Sequence, residues 1–149
     1  MTDAKGIMER FIRDYYGMFG KFKIDEDSDE SYATASSPDG DSTSMVGLEI
    51  STNADSDFES KCDFIKTKQK RLGPMGNAES FIYPSGFDEH YGVILNYDIH
   101  GKKGGFFYYT GRKGCLTVSI QAYHTQAMEA IPESERNALI DAVFSAIKR

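Results

Sequence analysis

Three stretches decide the fold: YGVILNYDI at 91–99, GGFFYYTG at 104–111 and CLTVSIQAY at 115–123. Successive side chains of an extended strand point to opposite faces. In the third stretch Leu116, Val118, Ile120 and Ala122 therefore oppose Thr117, Ser119, Gln121 and Tyr123. In the first, Val93, Leu95, Tyr97 and Ile99 oppose Ile94, Asn96 and Asp98. The connectors PSGF, HGKKGG and GRKG are short and glycine-rich, as hairpins require. The pattern predicts consecutive strands over 79–83, 91–99, 106–110 and 115–124.

Working outward, two further strands are predicted over 32–36 and 45–51. They are separated by SPDGDSTS, whose Pro38, Asp39 and Gly40 favour a reversal. Three helices frame the strands. The first covers 3–19, where Ile7, Met8, Phe11, Ile12, Tyr15, Tyr16 and Phe19 recur at helical spacing, with Thr2 or Asp3 as cap. The second covers 58–72, with Ser56 and Glu59 as a capping box and Gly73-Pro74 as its stop. The third is opened by Pro132 and buries Leu139, Ile140, Val143, Phe144 and Ile147. The expectation is one α+β domain over 1–149: a twisted antiparallel β-sheet with an N-terminal, a middle and a C-terminal helix packed on it. Residues 1–20 carry the most hydrophobic face, which reads as a core-packing helix or as a docking arm for a partner.

A length of 149 residues buries one sizeable core. The formal net charge of −6 is unevenly laid out. Residues 24–60 hold 11 acidic side chains and no Lys, Arg or His, whereas elsewhere 17 basic residues outnumber 12 acidic ones. Net acidity argues against nucleic acid as a partner. No stretch approaches the ~20 apolar residues of a membrane span, and the N-terminus lacks the pattern of a secretory signal. A cytoplasmic location is the expectation; a periplasmic or envelope one fits a chain whose signal has been removed. Cys62 and Cys115 match no metal spacing and read as reduced, buried thiols; a disulfide would need a geometry that sequence does not fix.

The acidic region invites a calcium reading. Asp25, Asp27 and Asp29 have the spacing of an EF-hand loop, and Asn53, Asp55 and Asp57 repeat it. Glu30 and Phe58 then stand where the loop needs glycine, and Ser36 and Phe64 where it needs glutamate. A solvated acidic loop is the better account, and neither metal nor cofactor is expected. His90 could pair with Asp98 or His124 across strands and serve as an acid or base; this is the enzymatic alternative. No nucleophile elbow or zinc helix accompanies it. The segment 100–105 offers Lys102 and Lys103 as an anion cradle, but it precedes a strand and lacks a helix N-terminus. A hairpin turn with solvated lysines near Arg112 and Lys113 is the simpler reading.

Aromatic residues crowd the strands, and alternation turns about half of them away from the core face. Helices on both faces would bury them all; an open face would present tyrosines suited to gripping a hydrophobic segment. Phe11, Tyr15, Tyr91, Tyr97, Tyr109 and Tyr123, with Lys102, Lys103 and Arg112, are the candidate binding residues.

The order of parts resembles the PsbP-like fold family, which includes DcrB-type bacterial proteins and Eag-type secretion chaperones. The resemblance runs over 32–149: an S-P-D-G turn before VGLEIS, the helix FESKCDFIKTKQKRL, the three strands quoted first, and a closing helix begun by PESERNALIDAVF. The long N-terminal helix departs from that family and is similar instead to class I chaperones of type III secretion. Both resemblances imply a non-catalytic protein that binds another polypeptide, as a secretion chaperone, adaptor or immunity protein does. An envelope ligand-binding or lipoprotein-derived domain is the remaining alternative. The helical stripe and the opposite charges of the two regions would also suit a homodimer.

Overall fold

The computed structural model describes residues 3–14, 22–36, 44–51, 54–81, 86–100, 102–124 and 133–147. Its elements are α1 (Ala4–Asp14), β1 (Lys23–Ile24), β2 (Tyr32–Ser36), β3 (Ser44–Ser51), α2 (Ala54–Leu72), a 3-10 turn (Gly73–Met75), β4 (Asn77–Phe81), β5 (Glu89–Ile99), β6 (Lys102–Lys113), β7 (Leu116–His124) and α3 (Glu133–Ile147). The strands form one seven-stranded sheet in the order β1-β2-β3-β7-β6-β5-β4, antiparallel throughout. The α+β architecture expected from alternation is the one observed.

Register fixes the two faces. Leu48, Ile120 and Tyr109 lie abreast, as do Val46, Ala122, Phe107 and Ile94. These residues join Ala4, Ile7, Met8 and Phe11 of α1 and Leu139, Ile140, Val143 and Ile147 of α3 in one buried core. The described part of the α1 stripe thus packs inward, with Phe11 buried against this core. Tyr15 and Phe19 lie outside the described residues. The first-turn amides of α1 are capped by the chain rather than by a side chain. The Ala4 and Lys5 N–H groups donate to the carbonyls of Glu30 and Asp29 at 2.8 and 3.1 Å, and these acidic residues also favour the positive end of the helix dipole.

The acidic loop has a structural task of its own. The Asp29 carboxylate accepts from the Ser31 and Tyr32 amides at 2.9 and 3.0 Å and from the Ser31 hydroxyl at 2.9 Å. Asp25 accepts from Thr34 and Ser36, and the Ser28 hydroxyl accepts from the Thr34 amide at 3.1 Å. The loop closes the edge of β2 where two-residue β1 stops. Among the described residues no three His, Cys, Asp or Glu side chains converge to hold a metal.

Three expectations need correction. The segment 100–105 is mostly strand: Lys102 and Lys103 pair with Ile99 and Asp98, and His100 bends the chain at φ 53°. Strand β6 thus begins at Lys102 and not at the expected residue 106. Helix α2 begins at Ala54, so Ser56 and Glu59 lie inside it and are not its cap. Cys115 is exposed at the β6–β7 turn, not buried; Cys62 is half-buried, and both are free thiols.

Candidate functional site

Among the described residues, α2 is the one helix on the opposite face of the sheet. This helix starts beside β3, where Lys61 Nζ meets the Glu49 carboxylate at 2.9 Å, and crosses toward β4. On one flank Gln69 accepts from the Tyr91 hydroxyl at 2.8 Å, and Lys66 lies 5.4 Å from the centre of the Tyr91 ring. On the other flank Phe64 meets Tyr108 edge-to-face, with ring centres 6.0 Å apart. Ile65, buried, anchors the middle. One helix cannot cover seven strands, so among the described residues part of this face is left uncovered.

What stays open is paved with aromatic rings. Tyr97, Phe106 and Tyr123 form a half-buried row with neighbouring centres 6.0 and 5.7 Å apart. Beside it, between α2 and strands β2, β3 and β7, lies a groove of about 300 Å³ lined by Tyr32, Gly47, Lys61, Phe64, Tyr108 and Gln121 among others. Its flanks are Tyr32 and Phe64, 40% and 47% exposed, the two large hydrophobic side chains among the described residues that stand out into solvent. Gly47 opens the floor: a Cβ there would meet the Gln121 side chain at 3.3 Å. Burial pushes the Tyr108 phenol upward in pKa, and the nearby Arg71 guanidinium opposes that shift.

The candidate residues separate cleanly. Tyr91, Tyr97 and Tyr123 lie on this face, as do Phe106 and Tyr108. Tyr109 does not: its side chain is 0% exposed on the core face, where alternation opposite Ile120 puts it, and Phe11 is likewise buried. Arg112 is held within the chain, donating to Glu89 at 2.8 Å and to the Gly114 carbonyl at 3.2 Å. Lys102 and Lys103 take part in β6 through their backbones. Tyr32, Gly47 and Phe64 are not candidates on sequence grounds; the one available signal is Phe64, a large apolar residue adjacent to the buried Ile65 on α2.

Register separates His90 from the two partners expected for it, Asp98 and His124. His90 lies opposite Gly111, whereas His124 lies opposite Gly105, which faces Asn96. Six residues of strand separate the two positions, about 20 Å, and Asp98 is further still. His90 instead stacks on Tyr109, with ring centres 5.9 Å apart.

No protein-family model matches the sequence, and no curated protein matches it. Solved structures of similar outline exist. The Ran-binding protein Mog1p of Saccharomyces cerevisiae has a TM-score of 0.44 at 10% identity, over 86% of this chain and 82% of its own. LpqN of Mycobacterium tuberculosis, involved in cell envelope biogenesis, has 0.41 at 12% identity, over 87% and 76%. A Bacteroides thetaiotaomicron protein has 0.42 at 11% identity over 81% of this chain, which spans only 40% of that protein's length. These likenesses concern the path of the chain and bring no function with them.

Proposed function

We propose that this chain is a non-catalytic module that holds a segment of another polypeptide on the open half of its α2 face. The groove flanked by the exposed Tyr32 and Phe64 carries the reading. Exposed aromatic side chains around a concavity are the usual equipment for gripping an apolar anchor. The occupant contributes side chains rather than a strand, because β3 and β7, which line the groove, already pair with strands on both sides.

A secretion chaperone, an adaptor and an immunity protein would all use such a surface, and the gene beside this one separates them: a secreted effector or toxin there identifies the partner's class. The experiment is affinity capture with the full chain as bait. A protein partner is expected to bind the unaltered chain, to be lost with Phe64→Ser, and to persist with Cys115→Ser on the distant β6–β7 turn. Failure to recover any partner, or retention by Phe64→Ser, overturns the reading.

A further inference from the structure

Charge around the groove is as unequal as its apolar content. The loop that leads into β2 carries Asp25, Glu26, Asp27, Asp29 and Glu30, all exposed. Within the groove, Glu49 is already matched by Lys61. The α2 side differs. Lys68 Nζ stands 5.2 Å from the centre of the Phe64 ring, and Arg71 acts on the Tyr108 phenol. Among the described residues no carboxylate forms an ion pair with Lys68 or Arg71. Lys68 thus stands beside an exposed aromatic ring at the helix-side rim with no ion pair among the described residues, and Arg71 lies three residues, about one turn, further along the same helix.

We infer that the groove selects a short segment of another protein in which an aliphatic or aromatic anchor is followed by carboxylates. This rests on the polypeptide-binding reading and specifies its partner's chemistry. The anchor enters over Gly47 between Tyr32 and Phe64, displacing water from a space at the lower end of ligand-sized cavities, ~300–1,000 Å³. The carboxylates reach Lys68 and Arg71, and the guanidinium offers paired donors suited to a carboxylate. A basic flank in the same place would meet those cations and be repelled, so charge sets selectivity while the anchor sets affinity. A second copy of the chain is a poorer occupant, because two exposed aromatic side chains fall well short of the ~800 Å² per partner of a stable interface.

The test uses fluorescein-labelled ten-residue peptides with a central Leu-Phe followed by Asp-Glu, Lys-Lys or Ser-Ser, titrated with the full chain and followed by anisotropy. The Asp-Glu peptide is expected to bind at least tenfold more tightly than the Lys-Lys peptide. That advantage is expected to vanish with Lys68→Glu/Arg71→Glu and to shrink at high salt. Gly47→Leu, filling the floor, is expected to abolish binding of every peptide; Phe64→Ser repeats that test on an exposed helix position where folding is not at stake. Equal binding of all three peptides that is still lost with Phe64→Ser overturns the charge rule and leaves the polypeptide-binding reading standing. No binding of any peptide, with no partner captured by the full chain, overturns both. Binding to vesicles containing phosphatidylserine, lost with Lys68→Glu/Arg71→Glu and without peptide preference, overturns the proposal in favour of a membrane surface. Dimerisation in sedimentation that is lost with Phe64→Ser overturns it in favour of a second copy.

Discussion

Lys61 of α2 reaches the Glu49 carboxylate of β3 at 2.9 Å and ties the helix down at the mouth of the groove. Both side chains remain about one-third exposed, so water screens the pair. A double-mutant cycle with Lys61→Met and Glu49→Gln, read by chemical denaturation, is expected to give a coupling of ~0.2–1 kcal/mol that falls with salt. A larger, salt-independent coupling would contradict the open geometry of the groove.

The two faces predict opposite responses to truncation. Phe107 is 0% exposed in the core between the sheet and α1 and α3, so Phe107→Ala is expected to cost about 3–5 kcal/mol. Phe64 is 47% exposed, and Phe64→Ala is expected to stay within about 0.5 kcal/mol of the unaltered chain, as surface changes usually do. Denaturant midpoints for the two variants measure the contrast directly.

Glycines on one side of the sheet fail for different reasons. Gly114 has φ +58° with nothing near its missing Cβ, so Gly114→Ala is expected to cost about 1–2 kcal/mol from backbone strain alone. Gly86 combines φ +91° with the Phe144 ring 2.6 Å from the Cβ position, so Gly86→Ala is expected to cost more than Gly114→Ala. Gly111 carries no such strain, but its Cβ would lie 2.7 Å from the Phe87 ring. Phe87 is itself packed against Phe144 and Tyr109, with ring centres 5.1 and 5.9 Å away, so Gly111→Ala must move a ring with little room to yield. Thermal melts of the three variants test the order of the first two and the size of the third.

Acid sensitivity follows from Asp29. Hydrogen bonds from the Ser31 amide first, then the Ser31 hydroxyl and the Tyr32 amide, hold its carboxyl below the usual carboxylate value. A group whose pKa is depressed in the folded state stabilises above its unfolded pKa, about 4, and that contribution drains away as pH falls through the folded value. Asp88, held down chiefly by the Gly114 amide at 2.9 Å, acts with the same sign. The melting temperature is expected to drop below about pH 4, and Asp29→Asn to flatten that drop. An unchanged acid limb in the variant would remove Asp29 from the account.

The two thiols are expected to react at different rates with a disulfide reagent at neutral pH. Cys115 is exposed, while burial pushes the Cys62 thiol up and depletes its thiolate. Cys115→Ser should therefore abolish the fast phase and leave the slow one.

Much of this architecture is legible in the alternation of the last three strands, where one parity of Leu116, Val118, Ile120 and Ala122 defines a face. The same parity places Tyr109 in the core once β6 is aligned with β7, yet alignment between strands is a long-range fact that no single strand contains. Two-residue β1 has too little pattern to be read. Gly104 and Gly105 look like turn residues but lie buried in β6, where tertiary packing overrides local preference. The groove was the least legible feature. Tyr32 and Phe64 are 32 residues apart in sequence, and what leaves both exposed is the path of α2 across the sheet.

The strand order has a kinetic consequence. β7 is the last strand among the described residues, yet it lies between β3 and β6, and its pairing of Ile120 with Leu48 welds the two halves of the sheet. Until residues 116–124 have emerged from the ribosome, β1–β3 and β4–β6 can only be separate, half-finished ribbons, each with a raw edge exposed to aggregation. Closing them requires contacts between residues about half the chain's length apart, the kind of topology that folds slowly.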